Sequence, residues 1–353
     1  MKTEHILIIR FSALGDVAMT VPVVCSLAKQ YPDVRITMLS KPFARPLFEN
    51  LAPNVGFMEA DLANEYHGIK GLNALYRRLT AKNFTAIADL HNVIRSDYLR
   101  MRFNFDRYRV AHLDKHRLQR RQLVSYNNKV LEPIPSAFDN YAKVFEQLGY
   151  PVHLEFTSLL TPEQAGLSQL PEGYNIKKPF QQWIGIAPFA AHRGKAYSLE
   201  QMEKVVAELT RRHPSCRIFL FGGGNNEKQQ LDDFVSRHSN CVNASAALGG
   251  MMKELVLMSH LDVMISMDSA NMHLASLVAT PVVSVWGATH PYAGFLGWGQ
   301  RMEDTVQIDL PCRPCSVYGD KICMRNDYAC LQNIAPDQIV KKVVGVISRK
   351  VKN

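Results

Sequence analysis

Ile6-Leu7-Ile8-Ile9-Arg10-Phe11-Ser12-Ala13-Leu14-Gly15-Asp16 opens the chain, and an apolar stretch with helical spacing, 17–28, follows it. A short β-branched run handing over through a polar loop to a helix is the first half of a βαβ unit. The loop is not a dinucleotide fingerprint, because three spaced glycines are missing. It is not a P-loop either, since no Gly-Lys-Ser/Thr follows. Asp16 stands where a carboxylate can cap a helix or work as a base, and Gly15 can serve as a turn residue with positive φ. Pro22 places the proper helix start near Val21.

The same kind of run recurs at 5–11, 34–39 and 84–90, and again at 183–187, 216–221, 261–266 and 281–286. These runs are nearly continuous in apolar residues, as strands buried on both faces of a parallel sheet must be. Helical spacing fills stretches such as 199–213 and 250–259. Strands alternating with helices predict a doubly wound α/β architecture, repeated twice. A helix over 139–149 ends at Gly149-Tyr150-Pro151, and polar sequence rich in Pro and Gly then runs to about 179. The expected domains are 1–165 and 175–335, with a C-terminal helix over 336–353. Ligands of such sheets lie at the carboxyl ends of the strands, so a cleft between the halves is the expected place for chemistry.

With 353 residues, 47% hydrophobic and 21% charged, the chain suits a globular protein of two domains. No apolar run reaches the roughly 20 residues of a membrane-spanning helix. The start, Met1-Lys2-Thr3-Glu4-His5, lacks a signal-peptide pattern, so the cytoplasm is the expected compartment. The formal charge of +9 is concentrated: residues 95–121 hold nine Lys or Arg against three Asp. That stretch, with Arg109, Arg117 and Arg120, suggests an acidic partner, or else a solvated basic face.

Three further loops follow strand-like runs. In Ser266-Met267-Asp268-Ser269-Ala270-Asn271-Met272-His273, small residues open a helix whose N-terminus suits phosphate. Asp268 would repel phosphate and is expected to cap the helix or grip sugar hydroxyls. His273 can donate to phosphate or simply be packed. Arg193 and Lys195 in the loop after 183–187 can neutralise a departing diphosphate, or be ordinary surface charges. Gly222-Gly223-Gly224 permits close backbone approach, and Glu227 beyond it can bind ribose or enrich a helix's first turn. Cys312, Cys315, Cys323 and Cys330 open with Cys-x2-Cys and can hold a structural zinc, but the later spacing departs from a zinc knuckle and favours reduced thiols or a local packing cluster.

Together these loops resemble glycosyltransferase family 9, the heptosyltransferases of lipopolysaccharide assembly in Gram-negative bacteria. The similarity lies in the opening motif through Asp16-Val17-Ala18-Met19-Thr20-Val21-Pro22, in 268–289, and in Cys312-Arg313-Pro314-Cys315. The resemblance implies a GT-B fold, two Rossmann-like domains facing across a cleft, and inverting sugar transfer without a metal or other cofactor. It implies a nucleotide-sugar donor of ADP-heptose type and an acidic glycolipid acceptor of the lipopolysaccharide core at the inner membrane, with no nucleic acid partner. It makes Asp16 the base, with Ser12 and Gly15 its loop neighbours. Charge, not motif, puts Arg109, Arg117 and Arg120 of the basic stretch on the acceptor side. It puts Lys195, Asp268, Ser269, Ala270 and His273 at the donor, with Ala270 where the family has glycine. Glu227 matches the ribose-binding acid less securely, because Asn225 also aligns there. A nucleotide-sugar epimerase shares the architecture, and a polyanion or membrane-surface binder would use the basic stretch. Neither brings the quoted motifs.

Overall fold

The computed structural model describes residues 4–352, which divide into two compact units. The first holds the residues up to His116 together with Pro135–Leu159. The second holds Arg117–Ile134 and the chain from Leu160 onward.

The first unit is a five-stranded sheet of β1 (His5–Ile9), β2 (Arg35–Ser40), β3 (Val55–Glu59), β4 (Ala86–Asp89) and β5 (Arg109–His112). Its order is β3-β2-β1-β4-β5, and every pairing is parallel. All five residues of β1 are buried, which accounts for its unbroken apolar run. Leu7, Ile9 and Phe11 pack with Leu72, Leu75 and Leu79 of the Gly68–Thr80 helix and with Leu99 and Phe103 of the Ile94–Phe105 helix. Each such fully buried side chain contributes about 1.5–3 kcal/mol.

The second unit contains β6 (Trp183–Ala187), β7 (Arg217–Leu220), β8 (Cys241–Asn243), β9 (Val263–Met267), β10 (Val282–Val285) and β11 (Thr305–Val306). The order is β11-β10-β9-β6-β7-β8, again all parallel. Ile184 and Ile186 share a core with Val205, Val206 and Leu209 of the Leu199–Arg212 helix, and with Ile339, Val340 and Val343 of the Pro336–Lys352 helix. The C-terminal helix is thus part of the second unit's core.

Two boundaries differ from the sequence expectation. Residues 160–182 are no free linker: Lys177 pairs with Asp262 at 2.8 Å, and the His260 ring meets the Ala165 carbonyl at 2.6 Å. Arg117–Ile134, expected in the first domain, packs in the second unit. Leu123 and Ile134 cluster with Ala293, and the Ile134 N–H donates to Tyr292 O at 2.8 Å. Polar composition marked a connection but could not show which core its few apolar residues join. Near the N-terminus, a short helix Leu14–Ala18 precedes a second, Val21–Gln30, with Pro22 in its first turn as Val21-Pro22 required. Gly15 lies inside the short helix rather than in a turn with positive φ.

Candidate active site

In an open α/β sheet, the chain's reversal of strand order leaves a crevice at the carboxyl ends of the strands flanking it. In the first unit those strands are β1 and β4. Arg10 leaves the end of β1, and its guanidinium is buried. Nη1 donates to Leu90 O at 2.6 Å, and Nη2 meets Asp16 Oδ2 at 2.7 Å. The Arg10 guanidinium also lies over the Tyr141 ring, 5.9 Å from its centroid. Asp16 Oδ2 accepts from the Ala13 N–H at 3.2 Å. Ala13 is the N-cap of the Leu14–Ala18 helix, so Asp16 reaches back to the cap from the first turn instead of being the cap itself. Its side chain remains 29% exposed, which leaves room for a reacting group at the carboxylate. Ser12, half-buried, completes the loop.

From β4 comes a second layer. Asp89 is fully buried, accepts the backbone N–H groups of His91 and Asn92 at 2.9 Å each, and pairs with Arg100 at 3.1 Å. This turn fixes the Leu90 carbonyl that holds Arg10. His91 Nδ1 accepts from the Phe11 N–H at 3.4 Å. Burial, helped by the Arg10 charge, pushes the His91 imidazole down to about 3. His91 is therefore neutral near pH 7 and no acid there.

In the second unit the reversal falls between β6 and β9. Lys195 follows β6 and Asp268 follows β9, and Nζ lies 2.9 Å from Asp268 Oδ2. The Thr289 hydroxyl, from the loop after β10, donates to the same oxygen at 2.8 Å. The Lys195 stem lies against Gly319, and the preceding Gly194 lies against Gly287. Gly319 has φ +78°, and a Cβ on it would lie 2.6 Å from Lys195 Cγ; one on Gly287 would lie 2.5 Å from Gly194 O. Ser269 is the N-cap of the Ala270–Leu277 helix, with no side-chain cap bond, and its hydroxyl sits 3.4 Å from that of Ser266. His273 is buried in the same helix.

A scan of protein-family models matches residues 72–324 to glycosyltransferase family 9 (heptosyltransferase). The chain belongs to glycosyltransferase family 9. Lipopolysaccharide heptosyltransferase 3 of Escherichia coli K12 is 26% identical over 303 residues, covering 83% of this chain and 84% of its own. Lipopolysaccharide core heptosyltransferase OpsX of Haemophilus influenzae is 22% identical over 294 residues, covering 82% and 80%. Among solved structures, the family 9 glycosyl transferase of Veillonella parvula superposes with TM-score 0.72 at 18% identity, covering 99% of this chain and 98% of that one. The Escherichia coli heptosyltransferase WaaC with ADP gives TM-score 0.67 at 15% identity, covering 97% and 99%. The fold is GT-B and the chain is a glycosyltransferase.

Within this family 9 enzyme the residues expected from sequence fall into two groups. Asp16, Lys195, Asp268, Ser269, Ala270 and His273 all sit on loops or helix starts at strand carboxyl ends, divided between the two units. Asp268 does not cap the helix, whose N-cap is Ser269; its carboxylate holds Lys195 and the Thr289 hydroxyl. Glu227 follows β7, and its Oε2 accepts from the Gly223 N–H at 2.6 Å, so the carboxylate caps its own helix. Arg193 lies over the Tyr328 ring, 4.6 Å from its centroid.

The basic residues expected on the acceptor side lie on two separate elements. Arg109 begins β5, at the amino edge of the sheet, where it pairs with Glu4 at 2.5 Å and meets the Tyr150 hydroxyl. Arg120 is held by the Phe295 and Tyr318 rings and donates to the Tyr318 hydroxyl at 2.8 Å, all inside the second unit. Both have structural partners, because runs of like charge in sequence scatter over several elements once folded. Arg117 is exposed.

Cys312, Cys315, Cys323 and Cys330 line one cavity with Arg313 and Arg325. All are free thiols, and burial pushes Cys330 up to about 11. Among the described residues, no three His, Cys, Asp or Glu side chains are placed to hold a metal ion. Arg313 ties this segment to the site loops, donating to Gly287 O at 2.6 Å and Thr289 O at 2.9 Å. Arg10 and His91 were missed by sequence reasoning. Only the Arg in the opening motif was a signal, and His91 carried none.

Proposed function

We propose that this enzyme transfers a heptose from an ADP-activated donor to an acidic lipopolysaccharide-core acceptor, with inversion at the anomeric carbon and Asp16 as base. The half-open Asp16 carboxylate, oriented by Arg10 and the Ala13 N–H, is the observation that carries this reading. The names of the relatives supply the substrate classes.

In this scheme the acceptor hydroxyl gives its proton to Asp16 while its oxygen attacks the anomeric carbon. The bond from that carbon to the diphosphate breaks, and ADP leaves with the electron pair. Lys195 stabilises the charge growing on the leaving diphosphate. The Ala270–Leu277 helix offers its N-terminal N–H groups to the same phosphates, and His273 a ring donor. Asp268 keeps Lys195 in position until the more highly charged donor competes for it. Glu227 retains lone pairs for ribose hydroxyls beyond the one spent on Gly223. Arg117 belongs to the basic surface offered to the phosphorylated acceptor. No cofactor enters the scheme.

The test is incubation with ADP-heptose and a core acceptor, with the product's anomeric configuration read by NMR. Retained configuration would remove the single-displacement role of Asp16. Absence of any transfer, with donor binding intact, would point to a different acceptor class.

A further inference from the structure

The Ile94–Phe105 helix leaves the sheet at the carboxyl end of β4, on the same edge as Asp16 and His91. One face, with Leu99 and Phe103, is buried in the core. The opposite face is not polar. Ile94 is 87% exposed, Met101 57% and Phe105 84%. With half-buried Tyr98 they recur at helical spacing and form one continuous stripe. Single exposed apolar residues need no explanation, but an aligned row on one helix does.

The charges beside the stripe that have no acidic or basic partner are positive. Four arginines and two aspartates lie between Ile94 and Tyr108. Both acids are already occupied: Asp97 pairs with Arg100 at 2.8 Å, and Asp106 accepts from the Tyr76 hydroxyl. Arg95 and Arg107 are exposed and have no acidic partner among the described residues. An apolar stripe bordered by uncompensated arginines matches an interfacial helix, its apolar side chains among acyl chains and its cations at anionic headgroups. A second copy of the chain fits less well, because an isologous pairing through this stripe would bring the same arginines together.

We propose that this helix face seats the enzyme on an anionic phospholipid bilayer. The inference extends the glycolipid-acceptor reading. It places the membrane contact on the element that carries the Asp89–His91 turn at its start, which puts the base side of the chemistry near the lipid surface. Among the described residues, no helix is long and apolar enough to cross a membrane, so a contact of this kind is peripheral.

The test uses the full chain and the variant Ile94→Ser/Met101→Ser/Phe105→Ser, with co-sedimentation on phosphatidylethanolamine–phosphatidylglycerol vesicles. All three positions are exposed, so an unchanged melting temperature is expected. Wild type should bind these vesicles, bind phosphatidylcholine vesicles less, and release with salt. The variant should bind at least about ten-fold less while keeping its rate on a deacylated, water-soluble acceptor. Wild-type levels of vesicle binding by the variant would overturn the proposal. So would a wild-type dimer, seen by sedimentation, that the variant dissociates. Transfer that fails on both acceptors with vesicle binding intact would count against the transferase reading and leave the docking face standing.

Discussion

Lys195 and Asp268 join across the strand-order reversal of the second unit, 2.9 Å apart and nearly buried, with Thr289 on the same carboxylate oxygen. Removing one partner of such a pair strands the other's charge, which costs roughly 3–5 kcal/mol when burial is complete. Lys195→Met should therefore lower the melting temperature as well as kcat. Adding Asp268→Asn should restore much of the stability and none of the activity. A single variant that melts like wild type would show that the pair is not holding the loops.

Asp16→Asn keeps the shape of the side chain and an acceptor for Arg10 and the Ala13 N–H, but cannot accept the acceptor's proton. The expected loss in kcat is about 10²–10⁴, with the affinity for ADP-heptose within about two-fold of wild type. Steady-state transfer and calorimetric donor binding separate the two effects. Near-normal kcat would exclude Asp16 as base.

Gly319 tests positioning without touching a charge. Its φ of +78° and the proximity of Lys195 Cγ make Gly319→Ala strained and crowded. The variant should lose about 1–3 kcal/mol of stability and displace Lys195, lowering kcat more than KM for the donor. A KM effect alone would mean that Lys195 contributes only ground-state binding.

His91 is held near 3 in the fold, whereas an unfolded imidazole titrates near about 6.5. Between those values the unfolded chain carries the extra proton. The contribution is thus complete above about pH 6.5 and is lost as pH falls toward 3, at up to about 1.4 kcal/mol per pH unit. His290, held at about 4 mainly by burial, acts in the same direction. Urea unfolding between pH 4.5 and 7.5 should show stability rising with pH, less steeply in His91→Gln. An unchanged slope in that variant would mean that His91 is protonated in the fold.

Treatment with a strong chelator should leave transfer unaltered, because every cation in the scheme is a side chain of the protein. Loss of activity that zinc or iron restores would assign the cysteine-lined cavity a metal.

Much of this architecture was legible in sequence. The central strands β1, β4, β6, β9 and β10 show as apolar runs because both faces of a parallel sheet are covered. Strands β3 and β5 lie at the edges with exposed positions, and β8 and β11 are only three and two residues long, so no run marks them. The motif residues Asp16, Lys195 and Asp268 were legible because each follows a recognisable strand into a loop. Their partners were not, since Arg10 and the turn around His91 meet only through the pairing of β1 with β4, 80 residues apart.

The sequence by itself determined two parallel α/β units, the loops that bear chemistry and, through its motifs, the family. Tertiary structure alone decided which charges are free to act. The same arginine type anchors Asp16 from position 10, closes a sheet edge at 109 and packs between rings at 120. Charge is a property of the residue, whereas availability depends on which carbonyl, carboxylate or ring the fold brings within about 3–6 Å of it.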